Sequence, residues 1–285
     1  MRSIWTVRFA TWLALGALAA AWFQADSSRR AMTSATAEPA PIARNTGEPA
    51  GGAFLLDFSK RFRSGGHYLA EYEMDEEWIK IIYRESNIRF DRTGMTLTLS
   101  KTRGEIPFSG GEFQCNGVYG YGRYEVVMKA SEQPGAVSSF FIYTGPHFGD
   151  PHDEINFELL GRTPGYVNVT YFNGGDNESA EIPVWFDTGE ADHLYAFEWA
   201  PDSIRWYVDG VKIHEVEARA DEFDIPTTTG RVVANLWAGV GSSIEWAGRP
   251  EFKRTTSSYR CISHVPLGQA GAQCSDTFHA QPPKP

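Results

Sequence analysis

Glu154, Asn156 and Glu158 stand at every second position of the stretch PHDEINFELLG, residues 151–161. On a β-strand successive side chains alternate faces. This spacing therefore sets carboxylate, amide and carboxylate on one side, and Ile155, Phe157 and Leu159 on the other. Two carboxyl groups flanking a bond are the equipment of glycoside hydrolysis. One protonates the leaving oxygen, and the other attacks the anomeric carbon or activates water. The spacing also makes a demand. Cα atoms four residues apart on a flat strand are ~13 Å apart, whereas a nucleophile and its acid partner need carboxyls about 5–5.5 Å apart. The strand must curve toward its substrate, with both side chains leaning inward. Alone, the pattern equally describes the solvated face of a half-buried strand. His152, Asp153 and the aromatic-rich SSFFIYTGPHFGD (residues 138–150) beside it point to a site.

The elements that must position these residues read as strands. MTLTLS (95–100), GRYEVVMKA (122–130), YVNVTYF (166–172), LYAFEWA (194–200) and SIRWYVDG (203–210) are short, alternating, and β-branched or aromatic. Clusters of Gly, Pro, Asn and Asp separate them. VDGVKIHEV (208–216) reads as a hairpin turning at Asp209-Gly210. No stretch holds a helical period over eleven residues, residues 75–84 coming nearest. Many evenly spaced strands within residues 53–267 predict one all-β domain, an antiparallel sandwich or barrel.

Composition narrows the function. Aromatic residues make up 14% of the chain, with nine Trp and twelve Tyr, flat half-polar surfaces that suit both sugar clefts and β-sandwich cores. A formal charge of −10 argues against nucleic acid or an anionic membrane as partner. At the N-terminus, Arg2 and Arg8 precede a charge-free apolar run over residues 9–23, the layout of a secretory signal. Residues 1–25 are expected to be a signal peptide or anchor, with small-x-small cleavage candidates at 19–21 and 35–37. Membrane contact follows only if that segment is retained, and the domain is expected to be secreted or periplasmic. Residues 26–52 read as a flexible linker and 268–285 as a loose tail that Cys274 could tie down. Cys115, Cys261 and Cys274 allow one disulfide in three ways. No Cys/His spacing resembles a zinc site. Asn168 and Asn177 each open an Asn-x-Ser/Thr sequon.

YGYGRYEVVMKA (119–130), SSFFIYTGP (138–146), HDEINFELLG (152–161), HLYAFEWAPDSIRWYVDG (193–210) and VANLWAG (233–239) together resemble family 16 glycoside hydrolases. The likeness is to bacterial lichenases (endo-1,3-1,4-β-glucanases) and to secreted depolymerases of exopolysaccharides such as succinoglycan. It runs in order across residues 54–246. The resemblance implies a curved β-jelly roll with a substrate cleft on its concave sheet, which would meet the spacing demand. It implies Glu154 as nucleophile and Glu158 as general acid/base, with retention of configuration. It also implies sugar contacts from Phe141 and Tyr143 beside the nucleophile, and from Asn235 and Trp237 across the same ring. His152 would bond near the acid or brace its loop, and Trp185 would touch the leaving side. Trp199 and Trp206 read as core.

Three departures qualify the resemblance. The family's middle aspartate is here Asn156, which donates a hydrogen bond to Glu154 but adds no charge. The expectation is a lower pKa at Glu158, an acid-shifted optimum and a rate roughly 10²–10⁴-fold down. Lichenases follow their Phe-x-Cys with a contacting glutamate and arginine, which FQCNGVYGYG (113–122) does not offer. Their later Asn and Tyr contacts are here Thr170 and Phe172. No cofactor is expected to be required. The family allows a structural calcium held by backbone oxygens and an aspartate. The reading is a monomeric, secreted endo-β-glucanase acting on 1,3-1,4-β-glucan or a bacterial exopolysaccharide. Two others stay open: a transglycosylase, and a glucan-binding module weakened by Asn156.

Overall fold

Strands with one apolar face must bury it against another layer, and this chain does so by stacking two sheets. The structure, a computed structural model, describes residues 51–60, 62, 64–219 and 224–278. The expectations for residues 1–25 and 26–52 fall almost wholly outside them.

The larger sheet runs, edge to edge, through Val211–Glu217, Ser203–Val208, His193–Ala200, Gly122–Lys129, Arg254–Pro266, Gly94–Lys101, Phe108–Gly110, Lys80–Tyr83 and Tyr72–Asp75. Phe54–Asp57 and Ile88–Asp91 add to it on the side. The smaller sheet runs through Asp176–Pro183, Tyr166–Asn173, Asp153–Leu160, Ala136–Thr144, Arg231–Ala238, Glu112–Gln114 and Tyr68–Leu69. Pairing is antiparallel except between Lys80–Tyr83 and Phe108–Gly110. The fold is a jelly-roll β-sandwich.

The inner faces form one core. Ile155, Phe157 and Leu159 are buried with Phe140, Ile142 and Leu236 from neighbouring strands, against Tyr124, Phe197, Trp199 and Trp206 of the other sheet. Two polar tips use this contact to brace the smaller sheet from behind. Trp206 Nε1 donates to the backbone oxygen of Asn156 at 3.1 Å. Tyr259 OH reaches the backbone oxygens of Ser139 and Asn235 at 3.0 and 3.1 Å. Buried indole and phenol groups need such partners.

The hairpin turn falls at Asp209-Gly210, both with positive φ (50° and 79°), as a two-residue turn matched to strand twist requires. Residues 75–84, the nearest approach to a helical pattern, instead form a hairpin. There Ile81 and Tyr83 alternate inward, a period-2 burial that overrides helix propensity. Among the described residues the one α-helix is the single turn Ile244–Ala247.

The stretch from residue 268, expected to be loose, is pinned as far as it is described. Cys261 and Cys274 form the disulfide, and Cys115 is free and buried. Ser275 donates from its backbone N and hydroxyl to the buried Glu125 carboxylate at 2.8 and 3.0 Å.

Candidate active site

Register sets the floor of the site. On the outer face of the smaller sheet, Glu154 lies opposite Tyr143, and Tyr143 opposite Arg231. Asn156 lies opposite Phe141 in the next row. Glu158 lies opposite Ser139, Ser139 opposite Asn235, and Asn235 opposite Glu112. Directly opposed residues share a face, so each row is one continuous strip of side chains. Polar groups on an open sheet face would be wet. Here Asn156, Ser139, Asn235, Glu112, Asn168 and Thr170 are all buried. The face is therefore recessed, and Glu154, Glu158, Phe141 and Tyr143 are its partly exposed members.

The two glutamates have different surroundings. Asn156 Nδ2 donates to Glu154 Oε1 at 2.9 Å, while Asn156 Oδ1 accepts from the backbone N of Thr170 at 2.9 Å. The amide thus bridges two strands and aims the first carboxylate. His152 Nε2 lies 3.3 Å from Glu154 Oε2, with its ring stacked on Phe172 at 4.3 Å. His152 was expected to bond near the acid or to brace its loop; its ring nitrogen lies against Glu154, just before the strand begins. Glu158 has its pKa raised to about 8, first by burial and then by the charge of Glu154. Asn156 was expected to give this group a lower pKa than an aspartate in its place would. Burial and the Glu154 charge raise it here with no third carboxylate between the pair.

Behind the pair, the buried Asp153 carboxylate accepts from the backbone N of Gly174, Thr227 and Thr228 at 3.0, 3.3 and 3.1 Å. It clamps two loops to the start of the strand.

One side of the floor is rich in polar groups. Asn235 Nδ2 donates to Glu112 Oε2 at 3.1 Å and lies 3.3 Å from Tyr83 OH. Its Oδ1 is buried with no partner among the described residues. Glu112, 3% exposed, accepts at Oε1 from Tyr72 OH and Gln114 Nε2, both at 2.8 Å. Burial raises its pKa. Sequence reasoning looked for a glutamate after Phe113 and missed this one just before it. Strand alternation was the available signal, since Glu112 and Gln114 share a face that Phe113 does not. Trp237 is buried, its Nε1 3.3 Å from Ser139 Oγ, and so borders the Glu158 row.

The other side is plainer. Thr170 Oγ1 is spent on Ser179 Oγ at 2.9 Å, and Phe172 offers only its ring. Asn168, opposite Glu158, is a buried floor residue whose Nδ2 has no partner among the described residues. Its sequon therefore lies in the recess. Trp185 is 38% exposed, beyond the edge strand Asp176–Pro183, with its ring against Phe186. Trp199 and Trp206 are core.

Among the described residues no group of three or more His, Cys, Asp or Glu side chains could hold a metal ion. The calcium expectation names backbone oxygens and a single aspartate, a set outside such groups, and no step below passes through it.

Comparison with known proteins gives the same picture. A beta-glucanase of Bacillus subtilis is 39% identical over 199 residues, 70% of this chain and 79% of that protein. A beta-glucanase of Acetivibrio thermocellus is 36% identical over 190 residues, 66% of this chain, which spans only 55% of that protein's length. The crystal structure of a prokaryotic β-1,3-1,4-glucanase (lichenase) from a mouse hindgut metagenome matches with TM-score 0.71 at 31% identity, over 76% of this chain and 100% of that one. The model of glycosyl hydrolases family 16 covers residues 75–259, and the chain belongs to that family.

Proposed function

We propose that the chain is a secreted endo-β-glucanase cleaving internal bonds of a neutral β-glucan by double displacement. The observation that carries this reading is the unlike treatment of two glutamates on one strand face. Glu158 holds a proton to about pH 8, and Glu154 is steered by Asn156 and His152. This unlike treatment supports Glu158 as the acid and Glu154 as the nucleophile.

In the first step the proton of Glu158 passes to the glycosidic oxygen as its bond to the anomeric carbon breaks. A Glu154 oxygen bonds that carbon from the opposite face. The leaving chain departs with the proton. In the second step Glu158, now a carboxylate, takes a proton from water as the water oxygen attacks the same carbon. Glu154 is released, and configuration is retained. The orphan Oδ1 of Asn235 fits a hydroxyl donated by a bound sugar. Phe141, Tyr143 and Trp237 offer ring faces and edges to the pyranoses.

Charge favours a neutral polymer over an acidic exopolysaccharide. The floor carries the Glu154 carboxylate, with Glu181 in the row beyond Asn168. The Arg231 guanidinium, in the Tyr143 row, lies 4.3 Å over the Phe148 ring. An acidic substituent near the scissile bond would meet like charge. Secretion is supported by the Cys261–Cys274 disulfide, which needs an oxidising compartment.

The test is reducing-sugar release from barley β-glucan, laminarin, xyloglucan and succinoglycan across pH 4 to 10. The expected result is cleavage of a neutral β-glucan, falling as pH rises through about 8 as Glu158 loses its proton. Preference for succinoglycan would overturn the charge argument. Oligosaccharide binding without turnover at any pH would leave a binding module, and redistribution of product lengths would reveal transfer to sugar rather than water.

A further inference from the structure

The tip of the Tyr72–Asp75/Lys80–Tyr83 hairpin carries a tryptophan that no part of the two-step chemistry uses. Trp78 is 41% exposed, among the most exposed large apolar side chains of the described residues. A hairpin tip ordinarily takes Gly, Asn or Asp, so a large indole there calls for a reason.

Its surroundings indicate one. The Trp78 ring meets the Trp237 ring edge to face, with centroids 5.7 Å apart at 87°. Trp237 in turn stacks on Trp246 at 5.9 Å and 25°. The three indoles make a continuous ledge that begins at Ser139, in the row of Glu158, and runs outward. The hairpin stands on the polar side of the floor, because its Tyr72 and Tyr83 hydroxyls reach Glu112 and Asn235. Trp78 thus lies beyond Asn235, itself two strands from Glu158, or ~10 Å at the usual strand spacing.

The tip is also fixed in place. Glu77 accepts from the backbone N of Ser242 at 2.9 Å and from its hydroxyl. The Trp78 carbonyl accepts from Ser243 Oγ at 2.7 Å and Val240 N at 3.4 Å. Gly241 has φ 51°, and a Cβ there would come within 2.0 Å of the Glu77 carbonyl oxygen. Only glycine allows the two loops to close together. A half-exposed ring held this firmly keeps a defined face toward the solvent side of the ledge, which is how binding sites lower their ordering cost.

We propose that Trp78 is an outlying stacking platform for the apolar face of a β-linked pyranose. It would let the site grip a long stretch of glucan on the Asn235 side rather than only the sugars next to the scissile bond. Glu77, Gly241 and Ser242 are positioning residues for it. This rests on the glucanase reading above and names the length of chain that the reading requires.

The experiment uses the full chain carrying Glu154→Gln, so that bound sugar is not consumed. Calorimetric titration with a mixed-linkage β-gluco-trisaccharide and the corresponding hexasaccharide measures the preference for the longer chain. Adding Trp78→Ala should shrink that preference by about 5- to 10-fold, the size of one aromatic contact. Trp78→Phe should restore most of it, and Glu77→Gln should shrink it partly. A preference that stays unchanged in Trp78→Ala overturns the platform, as does equal weakening of both ligands or binding of neither by the parent. The parallel assay of the natural sequence on polymer separates the two claims. Cleavage with no length effect of Trp78 leaves the glucanase and removes the platform. Length-dependent binding without cleavage keeps the platform and removes the glucanase.

Discussion

Glu154 and Glu158 share a strand, a face and a residue type, yet the fold treats their two ends of the strip differently. At Glu154 every neighbour is a polar or aromatic group aimed at the carboxylate: the Asn156 amide from below and the His152 ring, itself held on Phe172. At Glu158 no hydrogen bond to the carboxyl is made among the described protein groups; Ser139 and Asn168 lie opposite it, and burial with the Glu154 charge raises its pKa to about 8. One end is oriented and the other is desolvated. On the proposed mechanism, an acid and a nucleophile are made from one amino acid without a third carboxylate between them.

The most severe way to break this asymmetry is to remove each carboxyl in turn. Glu154→Gln should lower kcat by roughly 10³-fold or more on every substrate, because a neutral amide is too poor a nucleophile to replace the attacking carboxylate. Glu158→Gln should lower polymer cleavage by about 10²–10⁴-fold. It should spare the first step on an aryl β-glucoside, whose phenolate departs without a proton. Steady-state and burst kinetics on both substrate types check this, and equal losses in both variants would erase the division of roles. A milder change sharpens the comparison. Asn156→Asp inserts a negative charge beside Glu158 and should move the alkaline limb of the rate profile upward by about one pH unit. If the limb stays put, the middle residue acts through orientation of Glu154 alone.

Much of this was legible beforehand, and the reasons differ by element. The strand pattern over residues 153–160 needs only alternation, and alternation is local. The Asp209-Gly210 turn is also local, since its residues tolerate positive φ. Glu112 was missed because its neighbours Tyr72, Gln114 and Asn235 come from three strands that only the folded register joins. The burial that raises the pKa of Glu158 was not legible for the same reason. A sequence displays the charge of the residue two positions away, but not the depth of the recess. Residues 75–84, the nearest approach to a helical period, fell short of one, and a sheet edge supplies their partners. The pairing of Cys261 with Cys274 follows from the tail folding back onto Glu125, a contact between residues 150 apart.

The smallest expected effect tests the desolvated end through stability instead of rate. A carboxyl whose folded pKa lies near 8, against an ordinary value of 4.5, binds a proton more tightly when folded. Its contribution to stability is complete below the ordinary value and is lost as pH rises through about 8. Glutamine has no such proton to lose. Glu158→Gln should therefore melt about 2–4 °C above the natural sequence at pH 9, and the advantage should disappear by pH 4. Glu154→Gln should not reproduce that pattern, because removing the Glu154 charge lightens the cost at Glu158 only in part, burial being the larger cause. Melting curves for the three proteins across that range decide the matter. A pH-independent difference at Glu158→Gln would mean that its carboxyl ionises as it does in water. The site would then lack its acid, whatever the kinetics of the polymer assay.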